Sequence, residues 1–398
     1  MEESPYQKTD FLQFVQEHLQ DDPALLLFKY QGKVSFDLKL AVQQISAKQK
    51  AVKKLPSWTS DSGIVFPASI PLEQCSSEST ALEKSRNCAG NLMIDLTGGF
   101  GVDFFYLSHN FKKGIYCERQ HDLFQIAKQN LDLLRHEKFD FVNGDGLEFL
   151  KETKHHFDLL YADPARRGTA NQKLYKLQDC EPDVVNAWEL MKRKSSQILL
   201  KVSPMLDIAH AWLELPDVQK ITVISVKNEV KELLLHWKSE NNLLQKEIEV
   251  KDLESDFPSF TFYRSEEEHA ASTFGEVGAY LVEPLSGILK AGAFKLFGER
   301  YGLRKLDKNS HLYTSDFLPT DIPGRVFEVL SRVEHPKKEL KTRFPDGKVN
   351  VLARNFSIGA EEFKKKFGLR DGGNHFLIAS QTNQRYGVWI CKLVSTKP

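Results

Sequence analysis

Long apolar runs are missing from this 398-residue sequence. The strongest, ALLLF and ELLLHW, fall far short of the roughly 18 residues that a membrane span needs. Cysteine is scarce as well. Five residues (Cys75, Cys88, Cys117, Cys180 and Cys391) stand apart with no C-x-x-C spacing, which argues against a zinc site or a disulfide framework and for reduced thiols. There is no internal repeat and no low-complexity tract. Net charge is absent too, with 54 Lys and Arg against 54 Asp and Glu, so the overall charge predicts no partner. Glu2, Glu3, Asp10 and Glu17 near the start do not suit a secretory leader. The expected location is the cytoplasm, with no membrane and no metal, and nothing in the composition names a protein partner or an oligomeric state.

What is present is unevenly placed. Residues 325–398 hold 15 Lys and Arg against 7 Asp and Glu, while the other 324 residues hold 39 against 47. A basic end on an acidic body suits a polyanion-binding module. Hydrophobic spacing of three and four in FLQFVQEHLQ and FDLKLAVQQISAKQKAVKKL predicts helices, the second closed by Pro56. LEQCSSESTALEKSRNCA reads as a short capped helix. From Asn91 short apolar strands alternate with amphipathic helices: NLMIDL, GIYCE, FDFVNGD, FDLLYADP, SQILLKVS and ITVISV are the strands. The helix HDLFQIAKQNLDLL places Leu123, Ile126, Ala127, Leu131 and Leu134 on one face, and a further helix is expected over about 179–194. This rhythm predicts an α/β fold with a parallel sheet covered on both faces. NEVKELLLHW and SFTFYRS are candidates for antiparallel edge strands. Past about residue 268 the rhythm breaks, and residues 325–398 read strand-helix-strand-helix-strand-strand with a turn at DGG. The predicted organisation is a helical region over 1–70, a cofactor-binding domain over 71–268, a small ferredoxin-like connecting domain over 276–320, and an α+β domain over 321–398.

The string IDLTGGFGVD joins the first strand to the first helix of the alternating region. Glycines there let the backbone approach a ligand at the carboxyl edge of the sheet. Glu118 ends the second strand 23 residues after Asp95, a spacing that suits hydrogen bonds to two ribose hydroxyls. Asp145 ends the third strand, where a carboxylate can meet an adenine amino group, and Asp163 ends the fourth. Each acid alone is explained by capping or a local turn; four at consecutive strand ends point to a nucleoside site. A dinucleotide needs G-x-G-x-x-G to seat its pyrophosphate, but Gly99 and Gly101 are followed by Phe104. Asp95 and Asp103 would also repel phosphates. Acids suit a sulfonium and an ammonium, which points to S-adenosylmethionine.

These residues resemble the class I S-adenosylmethionine-dependent methyltransferases, with a Rossmann-like sheet. More narrowly, the chain is similar over nearly its whole length to a bacterial group of RNA methyltransferases with a THUMP-like C-terminal domain. The resemblance is carried by the EQCSSE segment, DLTGGFGVD, DPARR and the ARNF…DGG module. It implies that Gly99 and Gly101 cradle the methionine part of the cofactor, that Glu118 holds the ribose, and that Asp145 with Gly146 faces the adenine. Asp95, Thr97 and Asp103 complete the expected cofactor set. Thr97 stands where the commonest pattern has its first glycine. Ser76, Ser77 and Thr80 either close over the cofactor or cap a helix.

In amino-directed enzymes of this class, Asp-Pro-Pro-aromatic aims a target nitrogen at the methyl carbon and stacks a ring on the base. Here Asp163 and Pro164 keep the first half, and Ala165, Arg166 and Arg167 replace the rest. An arginine plane can stack on a base and a second can hold a phosphate. Alternatively the arginines pair with Glu181 or Asp183. DPARRG also resembles the D-P-P-R of 5-methyluridine enzymes, which attack with a cysteine at the end of the fifth strand. Ser203 occupies that stretch, a poor substitute for a thiolate, and Cys180 falls at an expected helix start. Lys201 is expected at a strand end, either in contact with substrate or simply in solvent.

THUMP domains bind structured RNA, so Lys337, Lys338, Lys341, Arg354, Lys364, Lys365 and Lys366 are candidate phosphate contacts. AKQKAVKKLPSW offers four more lysines and Trp58, although these lysines do not share one helical face. The expected activity is methylation of a base in structured RNA, at an exocyclic amine, by positioning. Two alternatives stand beside it: an RNA-binding scaffold with a relict cofactor pocket, and a methyltransferase acting on a protein or small molecule.

Overall fold

The computed structural model describes residues 9–67, 69–135, 138–166, 176–240 and 245–394, without the side chains of 69–71, 135 and 166. The chain forms two compact units, Met1–Val218 with Leu234–Asn242, and Gln219–Leu233 with Leu243–Pro398.

The first unit opens with helices α1 (Thr9–Glu17), α2 (Pro23–Tyr30) and α3 (Leu38–Ala51). Phe11, Phe14, Leu26, Val42 and Ile45 close into a core of their own. Helix α3 stops at Ala51, short of the expected limit, so Pro56 does not end it. Pro56 opens the next helix, α4 (Pro56–Ser60), at the one position where a missing N–H costs nothing. Helices α5 (Ser69–Gln74) and α6 (Glu78–Ser85) follow, and Ser77 caps α6 by accepting from Thr80 N at 3.3 Å.

The alternating region then folds as expected. Strands β1 (Gly90–Asp95), β2 (Phe111–Glu118), β3 (Phe139–Asn143) and β4 (Leu159–Ala162) are linked by α7 (Val102–Leu107), α8 (His121–Arg135) and α9 (Gly146–Glu152). After β4 come the two-residue strands β5 (Ala165–Arg166) and β6 (Cys180–Glu181), helix α10 (Trp188–Lys194), β7 (Gln197–Val202) and α11 (Ile208–Glu214). The expected helix over 179–194 is therefore limited to its last two turns; Cys180 sits in a short strand and is buried. The order β7-β4-β1-β2-β3 is parallel throughout. The chain runs outward from β1 in one direction and returns to β4 on its other side. The crevice at the carboxyl ends of β1 and β4 is thus the switch point where ligands enter such sheets. Met93 and Ile94 in β1 are fully buried, and α8 lays Leu123, Ala127 and Leu131 into the core with Ile126 and Leu134 against it.

In the second unit β8 (Lys220–Val226) runs parallel to β10 (Glu247–Leu253), and β11 (Phe260–Tyr263) pairs antiparallel with β10. Strand β9 (Glu229–Lys238) has residues in both units. A second sheet has the order β13-β14-β12-β15-β18-β17-β16. It combines β12 (Tyr280–Pro284), β13 (Arg304–Lys305) and β14 (Tyr313–Ser315) with β15 (Gly324–Arg332), β16 (Asn350–Arg354), β17 (His375–Thr382) and β18 (Arg385–Val394). Helix α12 (Arg264–His269) follows β11, and helices α13 (Ser286–Ala291) and α14 (Leu296–Arg300) follow β12. Helices α15 (Pro336–Arg343) and α16 (Ala360–Phe367) cover one face of this second sheet through Leu340 and Phe363. The strand-helix-strand-helix-strand-strand order expected of 325–398 is the one observed. Among the described residues no helix is long and apolar enough to cross a membrane.

Candidate active site

The turn after β1 is built on glycines that the backbone geometry demands. Gly99 and Gly101 have φ of +56° and +88°, where an L side chain is strained. Gly98 is required for another reason: a Cβ there would lie 2.1 Å from the Tyr116 ring. Gly146 is similar, since its Cβ would meet Leu96 O at 2.4 Å. These approaches bring the turn, the end of β2 and the start of α9 together around a cavity of about 480 Å³. Its lining includes Ser76, Asp95, Thr97, Gly99, Gly101, Asp103, Glu118, Asp145, Gly146 and Asp163. The expected cofactor residues and Asp163 therefore meet in one place.

The acids are held differently. Glu118 accepts from Gly99 N at 2.9 Å and from Gln120 N at 2.7 Å, so it also fixes the glycine turn. Asp145 is the N-cap of α9, accepting from Leu147 N at 2.8 Å and Glu148 N at 3.1 Å through one oxygen, Oδ1. Asp95 is buried and accepts from Thr97 N at 2.9 Å. Burial, with Asp103 and Asp163 nearby, raises its carboxyl well above the usual range. Thr97 Oγ1 accepts from Asp163 N at 2.7 Å, joining the ends of β1 and β4, a task the usual glycine cannot perform.

Two lysines change the expected electrostatics. Asp103 is paired with Lys84 Nζ at 3.2 Å and Lys201 Nζ at 3.5 Å, and accepts from Ser76 Oγ at 2.7 Å and Tyr161 OH at 2.8 Å. Burial opposes ionisation, but Lys84 and Lys201 outweigh it and hold this carboxyl well below the usual range. Asp103 therefore lines the cavity with two ammonium partners already supplied by the protein. Lys201 is buried rather than solvated: its Nζ lies 2.5 Å from Asp163 Oδ2 and 3.2 Å from Ser76 Oγ. Its strand-end position is legible in ILLKVS, but its partners come from distant segments.

Pro164 is buried and Ala165 exposed. Ala165 pairs with Glu181 across β5 and β6, and Glu181 forms an ion pair with Arg119. Asp183 accepts from Asn186 Nδ2 at 2.8 Å. The Arg166 side chain and all of Arg167 lie outside the described residues, so their expected roles stand as expectations. Cys75, which the sequence did not single out, lines the cavity. Burial pushes its thiol up to about 11, against the thiolate that a covalent route needs.

Comparison with known proteins fits this geometry. A ferredoxin-like domain family matches residues 280–323, and a THUMP domain-like family matches residues 324–393. Two Mycobacterium tuberculosis strains each carry a relative named an uncharacterized S-adenosylmethionine-dependent methyltransferase, 22% identical over 304 residues, 75% of this chain and 80% of the relative. The crystal structure of a Porphyromonas gingivalis W83 protein, named provisionally as a methyltransferase, is 30% identical; the match covers 97% of this chain and 98% of that one at a TM-score of 0.88. The chain belongs to the S-adenosylmethionine-dependent methyltransferases with a THUMP-like C-terminal domain. A Mycoplasma mobile protein named an uncharacterized RNA methyltransferase is 30% identical over 76 residues, 19% of this chain and 21% of its own.

S-adenosylmethionine is the methyl donor of this methyltransferase, and the cavity suits it. The volume lies in the range of small-molecule sites, the glycine turn leaves room for close backbone approach, and acids from four strand ends line it. In the THUMP-like part, Lys337, Lys338, Lys341, Lys365 and Lys366 are exposed on α15 and α16. Two of the expected phosphate contacts are already engaged: Arg354 binds Glu283 at 2.7 Å, and Lys364 binds Asp371 at 2.6 Å and Glu361 at 2.5 Å. AKQKAVKKLPSW is divided: Lys50 and Lys53 are exposed, and its other two lysines are engaged. Trp58 is buried, Lys48 Nζ donates to Asp61 O, and Lys54 Nζ donates to Leu72 O at 3.0 Å.

Proposed function

We propose that this methyltransferase modifies an exocyclic amine on a base of structured RNA, by positioning rather than covalent catalysis. The observation that carries the reading is Asp163: it lies next to buried Pro164 at the end of β4 and lines the cavity that also holds Glu118 and Asp145, with its side chain 36% exposed. In this reading the Gly99–Gly101 backbone seats the methionine part, Glu118 binds the ribose hydroxyls, and Asp145 with Gly146 borders the adenine. Bound there, the cofactor supplies an electrophilic methyl carbon. Asp163 accepts a hydrogen bond from the target amine and directs its nitrogen toward that carbon; the proton lost on transfer leaves through the carboxylate to water. Proximity and orientation supply the rate. Arg166 and Arg167 contact the base and a phosphate.

RNA is favoured over a small metabolite by the THUMP-like match, the exposed lysines of α15 and α16, and the partial relative named an RNA methyltransferase. Within the chain we assign the N-terminal helices to 1–70, cofactor binding to 71–268, the ferredoxin-like connection to 276–320, and RNA binding to 321–398. The test uses tritiated S-adenosylmethionine and RNA from a strain lacking the gene, with the labelled nucleoside identified by mass spectrometry. Wild type should label an N-methylated base, and Asp163→Ala should do so about 100-fold more slowly. Label on carbon or ribose, or full labelling by Asp163→Ala, contradicts the reading.

A further inference from the structure

We propose that Lys201 is the positioning residue for Asp163, and that Ser76 and Asp103 anchor it; the inference rests on Asp163 being the acceptor of the target amine. Strands β4 and β7 are neighbours in register, with Ala162 opposite Leu200. The next residues, Asp163 and Lys201, therefore face each other at the sheet edge, and their Oδ2 and Nζ are 2.5 Å apart. A buried ammonium needs acceptors for its protons. Here Asp163, Ser76 Oγ at 3.2 Å and Asp103 at 3.5 Å surround it. Ser76 comes from the segment before β1, and it accepts from Lys84 at 3.1 Å while donating to Asp103 at 2.7 Å. The ammonium is thus held by three separate segments.

Neutralising Asp103 does not require Lys201, because Lys84 already lies 3.2 Å from it. What Lys201 adds is a fixed partner for one oxygen of Asp163. The Asp163 side chain stays 36% exposed and lines the cavity, so the pairing leaves part of the carboxylate open to it. With Oδ2 held, the carboxylate keeps one rotamer and presents its other oxygen at a constant place. A displacement on the order of 1 Å at such a group costs about 100-fold in rate.

The test is a double-mutant cycle in single-turnover methyl transfer, with cofactor saturating and the RNA fraction that wild type labels as acceptor. Lys201→Met and Asp163→Ala should each lower the rate about 100-fold. The double variant should be no slower than Asp163→Ala alone, because Lys201 acts through Asp163. Ser76→Ala should slow wild type less, and should not slow Asp163→Ala further. S-adenosylhomocysteine binding, measured by calorimetry, should not weaken in Lys201→Met, which also reports folding. A further loss in the double variant, or weakened binding with an unchanged rate, overturns the proposal. Wild-type turnover by Asp163→Ala would instead defeat the reading of the target site. Should wild type label no RNA, the crystal structure of Lys201→Met with S-adenosylhomocysteine decides: a displaced Asp163 carboxylate supports the proposal, and an undisplaced one overturns it.

Discussion

Asp95 and Asp103 both line the cavity, yet their surroundings drive them in opposite directions. For Asp95, burial and neighbouring carboxylates raise the folded-state pKa. Its contribution to stability is complete below the usual carboxylate value of about 4 and is lost as pH rises through the raised value. Asp95→Asn should therefore gain thermal stability over ligand-free wild type increasingly as pH rises above that range. Asp103 has the reverse sign, because Lys84 and Lys201 overcome burial. Its contribution is complete above the usual range and lost as pH falls toward the depressed value. Asp103→Asn should cost about 3 kcal/mol at pH 7 by denaturant unfolding, with the deficit shrinking below about pH 4. Glu118 is the direct probe of the cofactor: Glu118→Ala should weaken S-adenosylhomocysteine by about 10- to 100-fold in calorimetry, the scale of hydrogen bonds to a charged group. These acids were legible because each ends a strand in an alternating pattern. Lys84, Lys201 and Tyr161 were not, because their meaning lies in the partners that folding brings to them.

At the scale of elements, the turns at the sheet edge are set by two different constraints. Gly146 is crowded: a methyl group would press on the Leu96 backbone, 2.4 Å from its carbonyl oxygen. Gly99 is constrained by φ alone, with the nearest atom 3.6 Å from a built Cβ. Gly146→Ala should cost up to about 3 kcal/mol by overpacking, and Gly99→Ala about 1 kcal/mol from the left-handed backbone. Chemical denaturation of the two variants measures the difference. The strands and helices that bear the site were readable from period and length. Strand β10 is hard to read from sequence although Ile248 and Val250 alternate with charged residues, since the Glu and Lys content of EIEVKDL masks a half-buried face. The stretch before α10 misled for another reason. Its composition suits a helix, but residues 180–181 pair with 165–166 instead, a long-range choice no local pattern carries.

The whole molecule unites a neutral sum of charges with a local basic surface. Lys337, Lys338, Lys341, Lys365 and Lys366 are exposed on two helices that cover one face of the second sheet. Replacing all five with alanine should weaken RNA binding and flatten its salt dependence by up to about 0.7–0.9 in log–log slope for each phosphate no longer neutralised. S-adenosylhomocysteine affinity should stay the same, because none of the five lines the cofactor cavity. The charge count picks out the stretch that carries these exposed lysines but overestimates its available cations, since Arg354 and Lys364 are tied into ion pairs with Glu283, Glu361 and Asp371. Acids at neighbouring strand ends, around a glycine turn, form the cofactor cavity of this molecule. A crystal structure of the wild-type protein with S-adenosylhomocysteine tests this seat most directly. The ribose should lie on Glu118, the adenine beside Asp145 and the sulfur on the Asp163 side of the Gly99–Gly101 turn; a ligand bound elsewhere, or reversed in this cavity, rules this seat out.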